Sequence, residues 1–170
     1  GHGITTTILQ LAKGYAIISN GGYEITPTLI KDNSNKKIKR LKVLSNDVSK
    51  KMNIMMRKVV SEGTAKLVNV EGYQVGGKTG TAEQVSNSIY SKTKINTLAS
   101  IFPSNNPKFV LVVMLESTKN NKDYTYEYRD GSGFKLLGSP RNTAGWTTVE
   151  AAGKIIDKIG PILATKYIEN

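Results

Sequence analysis

Between Thr5 and Asn20, Ile8, Leu11, Ala12, Tyr15 and Ile18 recur at roughly helical spacing; Thr5 or Thr6 can cap the start, and Gly21-Gly22 stops the pattern. The spacing predicts a helix. A second stripe, Val48, Met52, Met55, Met56 and Val59, follows Ser45 or Asn46 and ends at Gly63, with its methionines expected to fill a core. A third, Val149, Ala152, Ile155, Ile156 and Ile159, starts after Thr147 or Thr148. Gly160-Pro161 is expected to interrupt that helix before Ile162 to Tyr167, because proline lacks the amide hydrogen a helix interior needs.

The segments between these stripes lack the helical period. Glu24 to Leu29 reads as a short extended piece around Thr26-Pro27. Gln74 to Gln84, with Gly76-Gly77 and Gly80, reads as a strand that something else approaches closely. Asn96 to Phe102 and Lys108 to Leu115 are apolar runs joined by Pro103-Ser104-Asn105-Asn106-Pro107, the signature of an antiparallel hairpin, and the second run is expected to be buried. Lys119 to Asn142 is polar and tyrosine-rich without a period, and is expected to be a long surface loop. The expected fold class is α+β: two N-terminal helices, an antiparallel sheet holding the Gln74 strand and the hairpin, and a C-terminal helix packed on that sheet.

Composition narrows the chemistry. A chain of 170 residues suits one domain, here 1–170, and no stretch reaches the roughly 20 apolar residues that cross a bilayer. Gly1 begins abruptly inside what reads as an ordered motif, so the chain is expected to be part of something longer. There is no cysteine and the single histidine, His2, lies at the terminus, where a turn position is a simpler reading than a general base; neither a metal nor another cofactor is expected. The net charge of +11 raises the question of nucleic acid, but the lysines are scattered, and the densest run, Lys36, Lys37, Lys39, Arg40 and Lys42, sits among Asn33, Ser34 and Asn35 as a solvated loop would. No nucleic-acid partner is expected.

One lysine belongs to two competing motifs. Gly72 to Thr79 satisfies the phosphate-loop pattern, two glycines five apart followed by Lys78-Thr79, and the acid closing Lys108 to Glu116 could serve magnesium. A small nucleoside-triphosphate-binding protein is therefore the alternative. A phosphate loop, however, needs a helix to start at the Lys-Thr pair; Gly80 follows directly, and Tyr73, Gln74 and Val75 favour extended backbone. The other motif is Lys78-Thr79-Gly80-Thr81 as a strand beside a cleft, the Lys-Thr-Gly signature of serine β-lactamases and penicillin-binding proteins.

The flanks extend that second match. Val59-Val60, Glu62-Gly63-Thr64-Ala65, Gly72-Tyr73 and Gly77 to Gln84 resemble, in order and spacing, the transpeptidase domain of class B penicillin-binding proteins, which build peptidoglycan in cell division and elongation. Gly1-His2-Gly3-Ile4 with the first helix, Ala99 to Phe109 and Ala144-Gly145-Trp146 to Ile156 resemble further parts of its C-terminal portion. The resemblance implies that Lys78, Thr79, Gly80 and Thr81 bind substrate. The Thr79 and Thr81 hydroxyls would hold the carboxylate of a stem peptide's terminal D-alanine or of a β-lactam, Lys78 would add positive potential, and the Thr81 N–H would be one of two oxyanion-hole donors. It implies a periplasmic, inner-membrane-anchored parent that works through a serine acyl-enzyme.

The same resemblance requires a Ser-x-x-Lys pair on a helix and a Ser-x-Asn turn upstream of the strand. Neither occurs there in a credible setting. Ser34 to Lys37, Ser91 to Lys94, Ser132 to Lys135 and Ser104 to Asn106 match by letter only. The isolated chain is expected to be inactive and to associate with itself through apolar surface that the missing N-terminal half would cover. Tyr124, Tyr126 and Tyr128 alternate as strand residues do, and are read as packing or cleft rim; Trp146 is read as an anchor on the sheet.

Overall fold

The computed structural model of the chain describes residues 4–30, 40–86, 89–138 and 141–167. The Gly1-His2-Gly3 turn, most of the basic run and Ser34 to Lys37 lie outside those residues.

Helix α1 spans Ile8–Ser19, and its cap is Thr7 rather than Thr5 or Thr6. Gln10 explains the difference, for it stands three residues beyond Thr7, as a capping box requires. The Thr7 hydroxyl accepts the Gln10 N–H at 3.1 Å, and the Gln10 side chain accepts the Thr7 N–H at 2.9 Å. Gly21 and Gly22 end the helix at φ of +91° and +86°. No strand forms over Glu24 to Leu29; Tyr23 instead makes an isolated bridge to Lys42.

Helix α2, Asn46–Ser61, is capped by Ser45, whose hydroxyl accepts the Val48 N–H. Its core face holds Met56 and Val60, both buried, whereas Val48 and Met55 are 42% and 53% exposed. The expected stripe is therefore rotated: α2 packs on the sheet through Met56 and Val60, and Met55 is no core filler.

Strands β1 (Gly76–Ser86), β2 (Ile89–Phe102) and β3 (Phe109–Glu116) form one antiparallel sheet in the order β1-β2-β3. The expected hairpin is β2 and β3, but β2 starts earlier than Asn96 because its polar first half pairs with β1 through Val85↔Tyr90 and Ser86↔Ile89. Central position, not hydropathy, decides burial. Leu98, Ala99, Ile101 and Phe102 of β2 are buried, while β3, at the edge and expected to be buried, is half-buried and ends with Met114 and Leu115 exposed.

Strand register sorts the side chains onto two faces. Thr79↔Leu98 and Thr81↔Asn96 share one, Lys78↔Ala99 and Gly80↔Thr97 the other. Leu98 and Phe102 join Val149, Ala152 and Ile156 in the main core, so the first face lies under the C-terminal helix α3, Thr148–Tyr167. Leu11 and Tyr15 of α1 meet the second face beside Thr97, Ala99 and Met114. Burial there pushes the Tyr15 phenol up.

Helix α3 runs unbroken through Gly160-Pro161, contrary to the expected interruption. Contacts on both sides of the proline outweigh its missing hydrogen bond: Ile156 is fully buried before it and Leu163 packs on the same core after it. At Gly160 a side chain would strike the Tyr73 ring, so glycine permits that ring to close against the helix.

Lys119 to Asn142 is more ordered than the expected loop. Strands β4 (Thr125–Glu127) and β5 (Lys135–Leu137) pair within it, and Tyr126 is buried. Tyr126 packs edge-on against Tyr124 and Trp146 at centroid distances of 5.0 Å each, which fixes the anchor role of Trp146. Arg129 then fastens the segment to α3 through a two-pronged pair with Glu150, at 2.9 and 3.1 Å. The Tyr124 hydroxyl donates to the same carboxylate at 2.9 Å, and Lys154 approaches it at 3.5 Å. Burial would raise the Glu150 carboxyl, but hydrogen bonds from Arg129 and Tyr124, with the charge of Arg129, hold it below its ordinary value.

Candidate active site

Edge strand β1 carries Lys78, Thr79, Gly80 and Thr81 in extended backbone, with one side paired to β2 and no strand partner on the other among the described residues. This overturns the phosphate-loop alternative over Gly72 to Thr79: the segment from Gly76 to Ser86 is a single strand, so no helix N-terminus faces an anion at Lys78-Thr79. Gly72 and Gln74 instead turn the chain into β1 at φ of +83° and +51°. Arg57 of α2 braces that entry by donating to the Val75 carbonyl and the Asn69 side chain, each at 2.8 Å. Burial lowers the Arg57 pKa.

The glycines of the motif do different work. A side chain on Gly77 would come within 2.7 Å of the Ala99 carbonyl, so this position closes β1 onto β2. One on Gly80 would meet nothing within 4 Å. The space over Gly80 is open to a ligand.

Alternation places the motif between two clefts. The Thr79 and Thr81 side lines a cavity of about 390 Å³, walled by Gly63, Thr64 and Lys66 after α2 and by Thr143 to Trp146 before α3. All four motif residues, Lys78 and Gly80 together with Thr79 and Thr81, line a larger cleft of about 900 Å³, bounded by Thr5 to Ile8, Leu11 and Tyr15. Lys78 is exposed, and its ammonium donates to the Thr79 carbonyl at 2.7 Å.

The two threonines are held differently. Thr79 Oγ1 lies 2.8 Å from Thr64 Oγ1 at the cleft surface; one hydroxyl donates to the other, which leaves the pair one proton for an incoming acceptor. Thr81 Oγ1 donates to Asn96 Oδ1 and accepts the Ala144 N–H, each at 3.0 Å. Its own proton is thus engaged. Of the three tyrosines, only Tyr128 lines the smaller cleft.

The Ser-x-x-Lys and Ser-x-Asn look-alikes gain nothing from the structure. Ser132 sits in an exposed turn ahead of β5, Ser104 is a buried turn residue whose N–H donates to Gln74, and Lys94 on β2 donates to Asn142. None of α1, α2 or α3 carries Ser-x-x-Lys. Thr64 and Asn96 received no role from sequence reasoning. Thr64 stood in view inside Glu62-Gly63-Thr64-Ala65, and Asn96 at the start of the Asn96 to Phe102 run, but their partners depend on the tertiary fold.

Lys-Thr-Gly-Thr is thus an edge strand of an α+β fold, flanked by helices on both sheet faces and with threonine hydroxyls turned to a cleft. Residues 1–132 match the penicillin binding protein transpeptidase domain, and the chain belongs to that family. It is 30% identical over 164 residues to penicillin-binding protein PbpB of Mycobacterium tuberculosis, covering 86% of this chain and 23% of that protein. It is also 30% identical over 176 residues to the probable peptidoglycan D,D-transpeptidase FtsI of Caulobacter vibrioides, covering 98% of this chain and 28% of that one. The chain therefore spans about a quarter of these relatives. Among solved structures, penicillin-binding protein 3 of M. tuberculosis in complex with ampicillin superposes with a TM-score of 0.71 at 26% identity, over 94% of this chain and 36% of that one. The transpeptidase domain of penicillin-binding protein 3 from Burkholderia pseudomallei shares the fold, with a TM-score of 0.74 at 23% identity, over 95% of this chain and 44% of that one.

Proposed function

We propose that this chain is the C-terminal part of the transpeptidase domain of a D,D-transpeptidase that cross-links peptidoglycan stem peptides. The serine of the rest of the domain attacks the penultimate D-alanine carbonyl, terminal D-alanine leaves with a proton, and an amine of a second stem peptide then takes the acyl group. A β-lactam enters the same site, a reading supported by the ampicillin complex of the M. tuberculosis relative. The observation that carries the proposal is the Thr79 and Thr81 face of an edge strand opening on a cleft, with empty space over Gly80.

Each motif residue has a part. The free edge of β1 pairs with the extended substrate backbone, which the open position at Gly80 admits. Thr79 donates to the ligand carboxylate, and Lys78 contributes positive potential. The Thr81 N–H serves the oxyanion, while its hydroxyl reaches the carboxylate only when its proton turns from Asn96 to the ligand. The parent works outside the cytoplasm, at the periplasmic face of the inner membrane, anchored by a segment outside this chain; no helix of the described residues is long and apolar enough to cross a membrane.

Fluorescent penicillin tests the proposal. The full-length parent should form a covalent, serine-dependent adduct and this chain alone none; a parent that takes no label would overturn it.

A further inference from the structure

Asn96 is fully buried, lies directly across the sheet from Thr81 and uses its whole side chain in hydrogen bonds. Its oxygen accepts the Thr81 hydroxyl proton at 3.0 Å. Its nitrogen donates to Thr118 Oγ1 and to the Asn142 carbonyl, each at 2.7 Å. Thr118 Oγ1 in turn donates to the same carbonyl at 3.2 Å, and the Ala144 N–H returns to Thr81 at 3.0 Å. The ring closes on itself. It joins β1, the central strand β2, the segment after β3, and the stretch from Asn142 that leads into the Thr143 to Trp146 wall of the smaller cleft.

Packing alone does not account for an asparagine here. Burying an amide costs free energy unless every donor and acceptor is met, and this one meets them only with Thr81 and the cleft wall in their present places. Leu98, two residues on and facing the same way, does the packing on that face. We propose that Asn96 is a positioning residue for the acyl-transfer reaction: it sets the place of Thr81, and so of the N–H aimed at the oxyanion, and ties that strand to the cleft wall before α3. This rests on the proposed transpeptidase function.

An acyl-transfer donor displaced by a fraction of an ångström loses rate more than ground-state binding, because the oxyanion exists only in the transition state. In the full-length parent, Asn96→Leu and the smaller, more easily accommodated Asn96→Ser should each lower the limiting rate of acylation by penicillin about tenfold per folded molecule. The penicillin concentration giving half that rate should change less than about twofold, since the Thr79 contact to the carboxylate remains. In a Thr81→Val background, either Asn96 substitution should add little, because its route of action is already cut.

A wild-type parent that forms no adduct would overturn the transpeptidase reading and this inference together. A wild type that acylates, with a folded Asn96 variant acylating at the same limiting rate, would overturn the inference alone. So would an undiminished further loss on the Thr81→Val background.

Discussion

The hydroxyls of Thr64 and Thr79 lie 2.8 Å apart and join the turn after α2 to the motif strand. Each hydroxyl has one proton, so their mutual bond leaves a single donor, directed by two side chains, for an anion in the cleft. A hydrogen bond to a charged group contributes about 1.5–3 kcal/mol. Thr79→Val in the parent should therefore raise the penicillin concentration for half-maximal acylation about tenfold or more. Thr64→Val, which removes only the orienting partner, should raise it by a smaller factor. Stopped-flow acylation of both variants checks the order, and a larger effect at Thr64 would contradict it.

Gly77 and Gly80 should separate stability from function. Gly77→Ala forces a carbon to within 2.7 Å of the Ala99 carbonyl, and overpacking of this kind costs roughly 1–3 kcal/mol. Gly80→Ala meets no protein atom within 4 Å, so thermal melting should move little while acylation falls. A Gly80→Ala parent that acylates at the wild-type rate would show that the ligand does not pass over this residue.

Acid should loosen the attachment of the β4–β5 segment to α3. The Glu150 carboxyl is held below the ordinary 4.5, so the stability it supplies is complete above that pH and fades as pH falls through the lower folded value. Glu150→Gln leaves Arg129, itself nearly buried, without its anion; removing one partner of such a pair costs about 3 kcal/mol. Urea melts of the parent domain at neutral pH and near pH 3 should show a large loss for the variant at the first and a smaller one at the second. Equal losses at both would mean that the pair carries no pH dependence.

The uncovered apolar side chains of this chain should make it self-associate. Leu29, Ile30 and Leu41 are almost wholly exposed or nearly so, at 106%, 80% and 67%, and Ile54 and Met55 add to them at 60% and 53%. Sedimentation of the isolated chain should show a mass that rises with concentration, and a strict monomer would argue that this surface needs no cover.

Elements whose signal is local could be read without the fold. The Ser45 cap and the Gly21-Gly22 stop depend on residues a few places apart, as does the Pro103 to Pro107 turn. The motif strand was legible because Gly80 and three bulky residues before Gly76 disfavour the competing loop. Apart from the Thr7 cap, what stayed hidden depends on distant partners: Tyr126 is buried in the main core beside Trp146, and α3 survives Pro161 because the core holds both of its halves. Thr64 and Asn96 belong to the same class, since 15 residues separate each from the motif threonine it touches.

A crystal structure of the penicillin-acylated parent would show directly whether the Thr79 edge of β1 receives the ligand. The penicillin carboxylate should lie within hydrogen-bond distance of Thr79 Oγ1, with the ligand backbone along the free edge of β1 over Gly80. A carboxylate bound away from Thr79, or an adduct that leaves that edge empty, would contradict it.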